Sequence, residues 1–194
     1  ECIDLRRKDP VSEEHALAAI AAAEAEAERL DRCGADEILA KESRDRAAAW
    51  RIVLGRAQNR SSSQGAQGAT QGDTQGDTQG GVAETEMNVA RVGDLALLFC
   101  PGEIAFETGE DLASAVVEGQ IVAETEATAP TVRVTRDDIW VVGYSNGHLG
   151  YLAPESAAPD AYERLMSSIV PESIYEIRKA AMRLSSKGMC MDRC

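Results

Sequence analysis

Residues 91–103 read Arg91-Val92-Gly93-Asp94-Leu95-Ala96-Leu97-Leu98-Phe99-Cys100-Pro101-Gly102-Glu103. Gly93-Asp94 is a tight-turn dipeptide. The run Leu95–Cys100 is continuously apolar, the pattern of a strand buried on both faces. Pro101-Gly102 ends it, since proline lacks the ladder donor and glycine permits a sharp exit. Upstream, Ala83, Thr85, Met87, Val89 and Arg91 alternate with Glu84, Glu86, Asn88 and Ala90. That period of two predicts one strand with a wet face from Val82 onward.

Downstream the signal turns helical. A helix is predicted from about Ile104 to Glu118, with Ala105, Leu112, Ala115 and Val116 toward the core. Residues 119–136 read as a loop with a short strand. Asp138–Ser145 reads as another buried strand, opening into Asn146-Gly147-His148-Leu149-Gly150-Tyr151. The last helix is predicted from Pro171 to about Lys187, with Ile174, Ile177, Ala181 and Leu184 on one face; Pro171 suits a first turn. Strand, helix, strand, helix in this order predicts an α/β fold with mixed α+β layers.

The N-terminal part is different. Ser12 is a candidate N-cap, and Glu13 and Glu14 suit the positive end of a helix. Ala16, Ile20, Ala23, Ala27 and Leu30 recur at spacings of four and three, one face of a helix over 12–32. Gly34 is a stop signal. A second stripe, Ala40, Ser43, Ala47, Trp50, Leu54 and Ala57, predicts a partner helix over about 36–57 and hence an antiparallel hairpin. Residues 58–81 carry a repeated Thr-Gln-Gly-Asp unit and no hydrophobic side chain larger than alanine until the edge of the next strand. Such a stretch lacks the apolar area to offset its ordering entropy and reads as a disordered linker. The expected organisation is therefore 1–57 helical hairpin, 58–81 low-complexity linker, 82–188 an α/β unit, and 189–194 a tail.

Bulk properties narrow the function. The 194-residue chain carries a formal net charge of -13, which disfavours phosphate backbones and anionic lipid headgroups. Nucleic acid is thus not an expected partner. No run approaches the roughly 18 apolar residues that span a bilayer, so no transmembrane segment is expected. The five cysteines, Cys2, Cys33, Cys100, Cys190 and Cys194, are scattered and match neither a disulfide framework nor a zinc-knuckle spacing. The chain starts at Glu1 without a signal segment, which reads as an N-terminal part lying outside it; the compartment is not legible.

Two loops can carry chemistry, because each leaves a buried strand. Glu103 can give hard oxygen to a metal or act as a base; it can equally serve the dipole of the following helix. In the second loop two glycines free the backbone to aim Asn146, His148 or Tyr151. His148 can ligate a metal or carry a proton, or stand solvated. Tyr151 can be a phenolic ligand, a donor or a packing residue.

Taken together, three segments resemble the neutral/alkaline non-lysosomal ceramidases. They are Arg91–Glu103 with its Pro-Gly-Glu, Val141–Tyr151 with its Asn-containing turn, and Tyr162-Glu163 followed by Ser167–Pro171. The likeness runs over roughly residues 83–185. It implies the C-terminal part of a zinc-dependent amide hydrolase catalytic domain, cleaving N-acylsphingosine or a related amide. Glu103 and Tyr151 match the family's glutamate and tyrosine zinc ligands. The family's two zinc-binding histidines and its active-site serine match nothing in this chain, and His15 fits neither histidine motif. The resemblance thus implies one Zn2+ completed by histidines outside this chain, with Asn146 and His148 as secondary catalytic candidates. The hairpin and linker look more like bacterial ceramidase-like proteins, and the family's C-terminal immunoglobulin-like domain is not represented. Both a lipid amide and a smaller amide stay open as substrates. A non-catalytic module that packs or oligomerises through the 12–57 hairpin is the competing expectation.

Overall fold

A computed structural model describes residues 2–63, 81–126 and 134–188. Its elements in chain order are β1 (Cys2–Arg6), α1 (Glu13–Arg32), α2 (Glu37–Ser63), β2 (Val82–Glu86), β3 (Asn88–Val92) and β4 (Leu95–Phe99). There follow β5 (Glu103–Ile104), α3 (Phe106–Glu126), a 3-10 turn (Arg136–Asp138), β6 (Ile139–Val142), β7 (Tyr151–Leu152), α4 (Tyr162–Met166) and α5 (Ser173–Gly188). The fold is mixed α/β. It divides into two compact units: residues 1–7, 82–157 and 167–194 in the first, and 8–81 with 158–166 in the second.

In the second unit the sequence pattern is realised closely. Ser12 caps α1, its Oγ accepting from the His15 N–H at 3.1 Å. Ala16, Ile20, Ala23, Ala27 and Leu30 are all buried. Across from them Ala40, Ser43, Ala47, Trp50 and Ala57 are buried on α2, and Ala49 and Val53 join them. Small side chains let the two helices approach closely, while ion pairs Asp31–Arg44 and Glu24–Arg51 stitch the exposed rims in antiparallel order. Such exposed pairs add little each, so the alanine seam and Trp50 hold the hairpin. Helix α2 runs six residues past the expected Ala57, through Ser63. The rest of the expected linker, 64–80, lies outside the described residues. Helix α4 packs on α2, with Arg46 Nε and Asp160 Oδ2 2.9 Å apart.

The first unit is built from three small sheets and two helices. β1 and β2 pair antiparallel; β3, β4 and β6 form a sheet in that order; β5 and β7 pair parallel. β3 and β4 make the hairpin predicted around Gly93-Asp94, and β4 runs parallel to β6. Leu5, Met87, Leu98, Leu112, Val116, Leu152, Ile169 and Ile177 are fully enclosed in one core. A large aliphatic side chain so buried contributes about 1.5–3 kcal/mol relative to exposure.

The structure corrects the sequence reading at several points. The alternating stretch from Val82 is two strands, not one. It breaks at Met87, which is 0% exposed, and the chain passes there from the β1–β2 pair to the β3–β4–β6 sheet. β1 itself was hidden in what reads as the lead into the hairpin; residues 1–7 belong with the first unit. On β4 only Ala96 and Leu98 are buried; Leu95, Leu97 and Phe99 are half-covered, so one face is closed and the other partly open. The strand at Asp138–Ser145 is shorter, Ile139–Val142, with Trp140 59% exposed. Helix α3 extends to Glu126, so 119–126 is helical rather than loop. Residues 127–133, where a short strand was expected, lie outside the described residues, as does the 189–194 tail.

α3 and α5 pack tightly against one another. Arg178 of α5 donates from Nε to Asp111 Oδ1 at 3.0 Å and from Nη2 to Glu118 at 2.8 Å. Ser185 Oγ donates to the Val116 carbonyl at 2.5 Å. At the crossing, a Cβ on Gly119 would overlap the carbonyl oxygen of Met182. Backbone cannot move aside as a side-chain tip can. Gly119→Ala is therefore expected to destabilise the first unit by about 2 kcal/mol or more, read as a fall in the urea midpoint, whereas Gly55→Ala, which meets nothing within 4 Å, is expected to leave it in place.

The second unit carries its own electrostatic penalty. Lys8 is half-buried and donates from Nζ to the Arg164 carbonyl. Desolvation, then repulsion from Arg164 and Arg56, lower its pKa from 10.5 to about 8. The folded form thus binds the proton less tightly than the unfolded chain does. The charged side chain weakens the unit at every pH below about 8, and the penalty is relieved between about 8 and 10.5. Lys8→Met is expected to melt at higher temperature than wild type at pH 7, with the gap narrowing as pH rises toward 10.

Candidate functional site

The two loops singled out from sequence are each other's hydrogen-bonding partners. Cys100 N–H donates to the Val142 carbonyl and Ser145 N–H to the Cys100 carbonyl, both at 2.9 Å. Tyr144 N–H donates to Gly102 O at 2.9 Å, and Leu149 N–H to Pro101 O at 3.0 Å. Glu103 N–H donates to Gly150 O at 2.9 Å, and Ala105 N–H to Leu152 O at 3.3 Å. The parallel pairing of β4 with β6 thus continues through both loops into β5 with β7.

That lacing requires close backbone approach. A Cβ on Gly102 would stand 2.7 Å from Gly150 O, and one on Gly143 would stand 2.8 Å from Gly102 O. Ordinary Cβ contacts are wider, so Gly102 is dictated by packing as well as by the turn. The second loop is conformationally unusual. Tyr144 has φ 55° and Asn146 φ 62°, followed by Gly147 at φ 137° and Gly150 at φ 72°. A bulky aromatic in left-handed backbone costs on the order of 1–3 kcal/mol and persists only where its surroundings hold it.

The register places Glu103 opposite Tyr151 in the parallel β5–β7 ladder. Directly paired residues of a sheet stand on the same face. Both are half-buried. The two residues that the resemblance marks as ligands are therefore neighbours in space, although 48 positions apart by number (151 − 103). Tyr144 joins them: its hydroxyl donates to Glu103 Oε2. Its ring stacks on His148, with centroids 5.4 Å apart and planes 21° from parallel. His148 and Asn146 are exposed on the loop. Sequence reasoning missed Tyr144 as a site residue. Its position just after a buried strand was visible, but its reach to Glu103 follows from the pairing of the loops.

Among the described residues no Lys or Arg pairs with Glu103; its carboxylate is met by a phenol instead. Oxygen donors of this kind suit zinc. Among the described residues, however, no group of three or more His, Cys, Asp and Glu is placed to hold a metal ion. Glu103 and Tyr151 would offer at most two oxygen donors, where a zinc site usually has four ligands. The adjoining thiol plays no part: Cys100 is fully buried, and burial pushes its pKa up to about 12. A separate cavity of about 230 Å³ opens between β6 and α3, lined by Ile104, Phe106, Ile139 and Val141, with the Arg136–Glu110 ion pair on its wall.

No model of a known protein family matches the sequence, and no curated protein matches it. Among solved structures, the chain has a distant likeness to neutral ceramidase from Pseudomonas aeruginosa, at 21% identity and a TM-score of 0.39. The likeness covers 55% of this chain and 15% of that one, so this chain spans a small part of that protein's length. No helix among the described residues is long and apolar enough to cross a membrane.

Loop pairing can be tested through Cys100. Its thiol is expected to resist maleimide in the native protein while Cys2 and Cys33, both exposed, are labelled. Gly102→Ala, which pushes the loops apart, is expected to raise Cys100 labelling at least about tenfold, corresponding to roughly 1.4 kcal/mol of easier local opening. Unchanged protection of Cys100 in that variant would contradict the packing argument.

Proposed function

We propose that the Pro101–Glu103 and Tyr144–Tyr151 loops are part of the active site of a zinc-dependent amide hydrolase of the ceramidase type. The observation that carries this reading is the β5–β7 register, which sets Glu103 beside Tyr151 on one face of the pair. The segments bearing these residues are those in which the sequence resembles the neutral/alkaline ceramidases. Glu103 and Tyr151 would hold one zinc ion through carboxylate and phenolic oxygens. The remaining ligands would be histidines, which by the resemblance lie outside this chain.

An ion held there would supply Lewis acidity, to polarise an amide carbonyl or to activate the nucleophile. The chain's own residues supply placement. The laced loops fix the backbones from which Glu103 and Tyr151 project, which reduces what must be ordered when substrate arrives. Among the described residues the Glu103 carboxylate meets no Lys or Arg; its recorded side-chain partner is the Tyr144 hydroxyl. The exposed loop around Asn146 and His148 borders solvent and offers polar groups to the rim where an amide substrate enters. Hydrolysis gives an amine and a carboxylic acid; with an N-acylsphingosine these are sphingosine and a fatty acid.

In the intact protein purified from its host, elemental analysis is expected to find about one zinc per chain, and amide substrates to be turned over. Glu103→Gln and Tyr151→Phe are each expected to lower zinc occupancy and to cut kcat/KM by about 100-fold or more, beyond the effect typical of an outer-shell change. Full zinc occupancy in Glu103→Gln would remove that residue from the ligand set.

A further inference from the structure

We propose that Tyr144 is a positioning residue for Glu103: it holds one carboxylate oxygen, Oε2, and so leaves Oε1 as the oxygen turned toward the site. The metal-facing half of this statement rests on the zinc hydrolase reading above; the hydroxyl–carboxylate contact does not.

Three independent features fix the tyrosine. Its backbone N–H is tied to Gly102 O at 2.9 Å, one residue before Glu103. Its φ of 55° breaks the extended path of β6. Strand alternation stops there, and the ring is re-aimed across the loop pair. Its face is stacked on the His148 ring. The hydroxyl then donates to Glu103 Oε2. A lone carboxylate has two equivalent oxygens and free rotation about its side-chain bonds. A donor on one oxygen makes the two inequivalent and restricts that rotation, which is the task outer-shell partners perform for ligating carboxylates.

The arrangement also has the marks of a site rather than of a core. Tyr144 is 58% exposed, so its ring buries little area and contributes little to packing. Yet it occupies backbone that its type disfavours. Strain without burial is a poor bargain for stability and is explained by the placement of the hydroxyl.

Tyr144→Phe tests this with little threat to folding, since it keeps the ring, the stack and the backbone. In metal-free intact protein labelled with 13C-glutamate, the side-chain carboxyl resonance of Glu103 is identified by its loss in Glu103→Gln. It is expected to move in Tyr144→Phe while the other glutamate carboxyls stay. In the same variant, half-occupancy is expected to require about 10–100-fold more free zinc. The visible absorption of the cobalt-substituted protein is expected to change, and kcat to fall with KM retained. An unmoved Glu103 resonance overturns the proposal. So does a moved resonance with wild-type zinc affinity and cobalt spectrum. If wild-type protein takes up no zinc, the hydrolase reading fails separately, and the Glu103 resonance still decides whether Tyr144 positions the carboxylate.

Discussion

The backbone lacing between 100–105 and 142–152 is the constraint on which the first unit depends. β5 and β7 are two residues each, and so short a pair has almost no stability of its own. It persists because β4 and β6 deliver both chains already parallel and in register. The bonds at Cys100, Gly102 and Pro101 then carry that register across two irregular loops. Every buried N–H and C=O along this path needs a partner, and each loop supplies the other's. Neither loop can therefore be moved singly without stranding polar groups of its neighbour.

Helices α3 and α5 stand behind this frame. α3 leaves β5 after one residue, so the position of Glu103 is transmitted to the core through Ile104, Leu112 and Val116. The Gly119–Met182 approach and the Arg178 fork then lock α3 to α5. α5 in turn contacts β1 and β3. The core thus reaches from the N-terminal strand to the loop pair through residues distant in sequence. Long-range closures of this kind cost chain entropy that only burial offsets, which places fully enclosed Leu5, Leu98, Leu152 and Ile177 where the crossings meet.

What could be read from the sequence divides along the same line. Stripes that repeat within one element were legible. All five predicted α1 positions are buried, as are Leu112, Ala115 and Val116 of α3 and Ile177 and Ala181 of α5, because helical period is a local property. The Pro101-Gly102 exit and the Gly93-Asp94 turn were legible for the same reason. Pairing partners were not. β1 has a five-residue alternation too short to stand out from the segment before α1, and its strand character comes from β2. The break at Met87 leaves no mark in the pattern, since the alternation runs on through it while the partner strand changes. α4, five residues long, has too few turns to show a period. At the candidate site Glu103 and Tyr151 were singled out by the resemblance rather than by spacing, whereas Tyr144 needed the loop pairing to bring its hydroxyl across.

Precision at the site is accordingly borrowed from close packing rather than from the strength of any one contact. The Tyr144–Glu103 hydrogen bond is exposed, and such bonds contribute on the order of 1 kcal/mol net. That is no more than the strain of the left-handed backbone that makes it. The two roughly cancel, so the contact adds no net stability. What it adds is direction: one oxygen of the carboxylate, Oε2, is held by the phenol. Such direction is lost if the loops separate by even the width of a methyl group, and Gly102 is the residue that forbids the methyl. The absence of a side chain at Gly102 thereby bears on the geometry of the neighbouring Glu103.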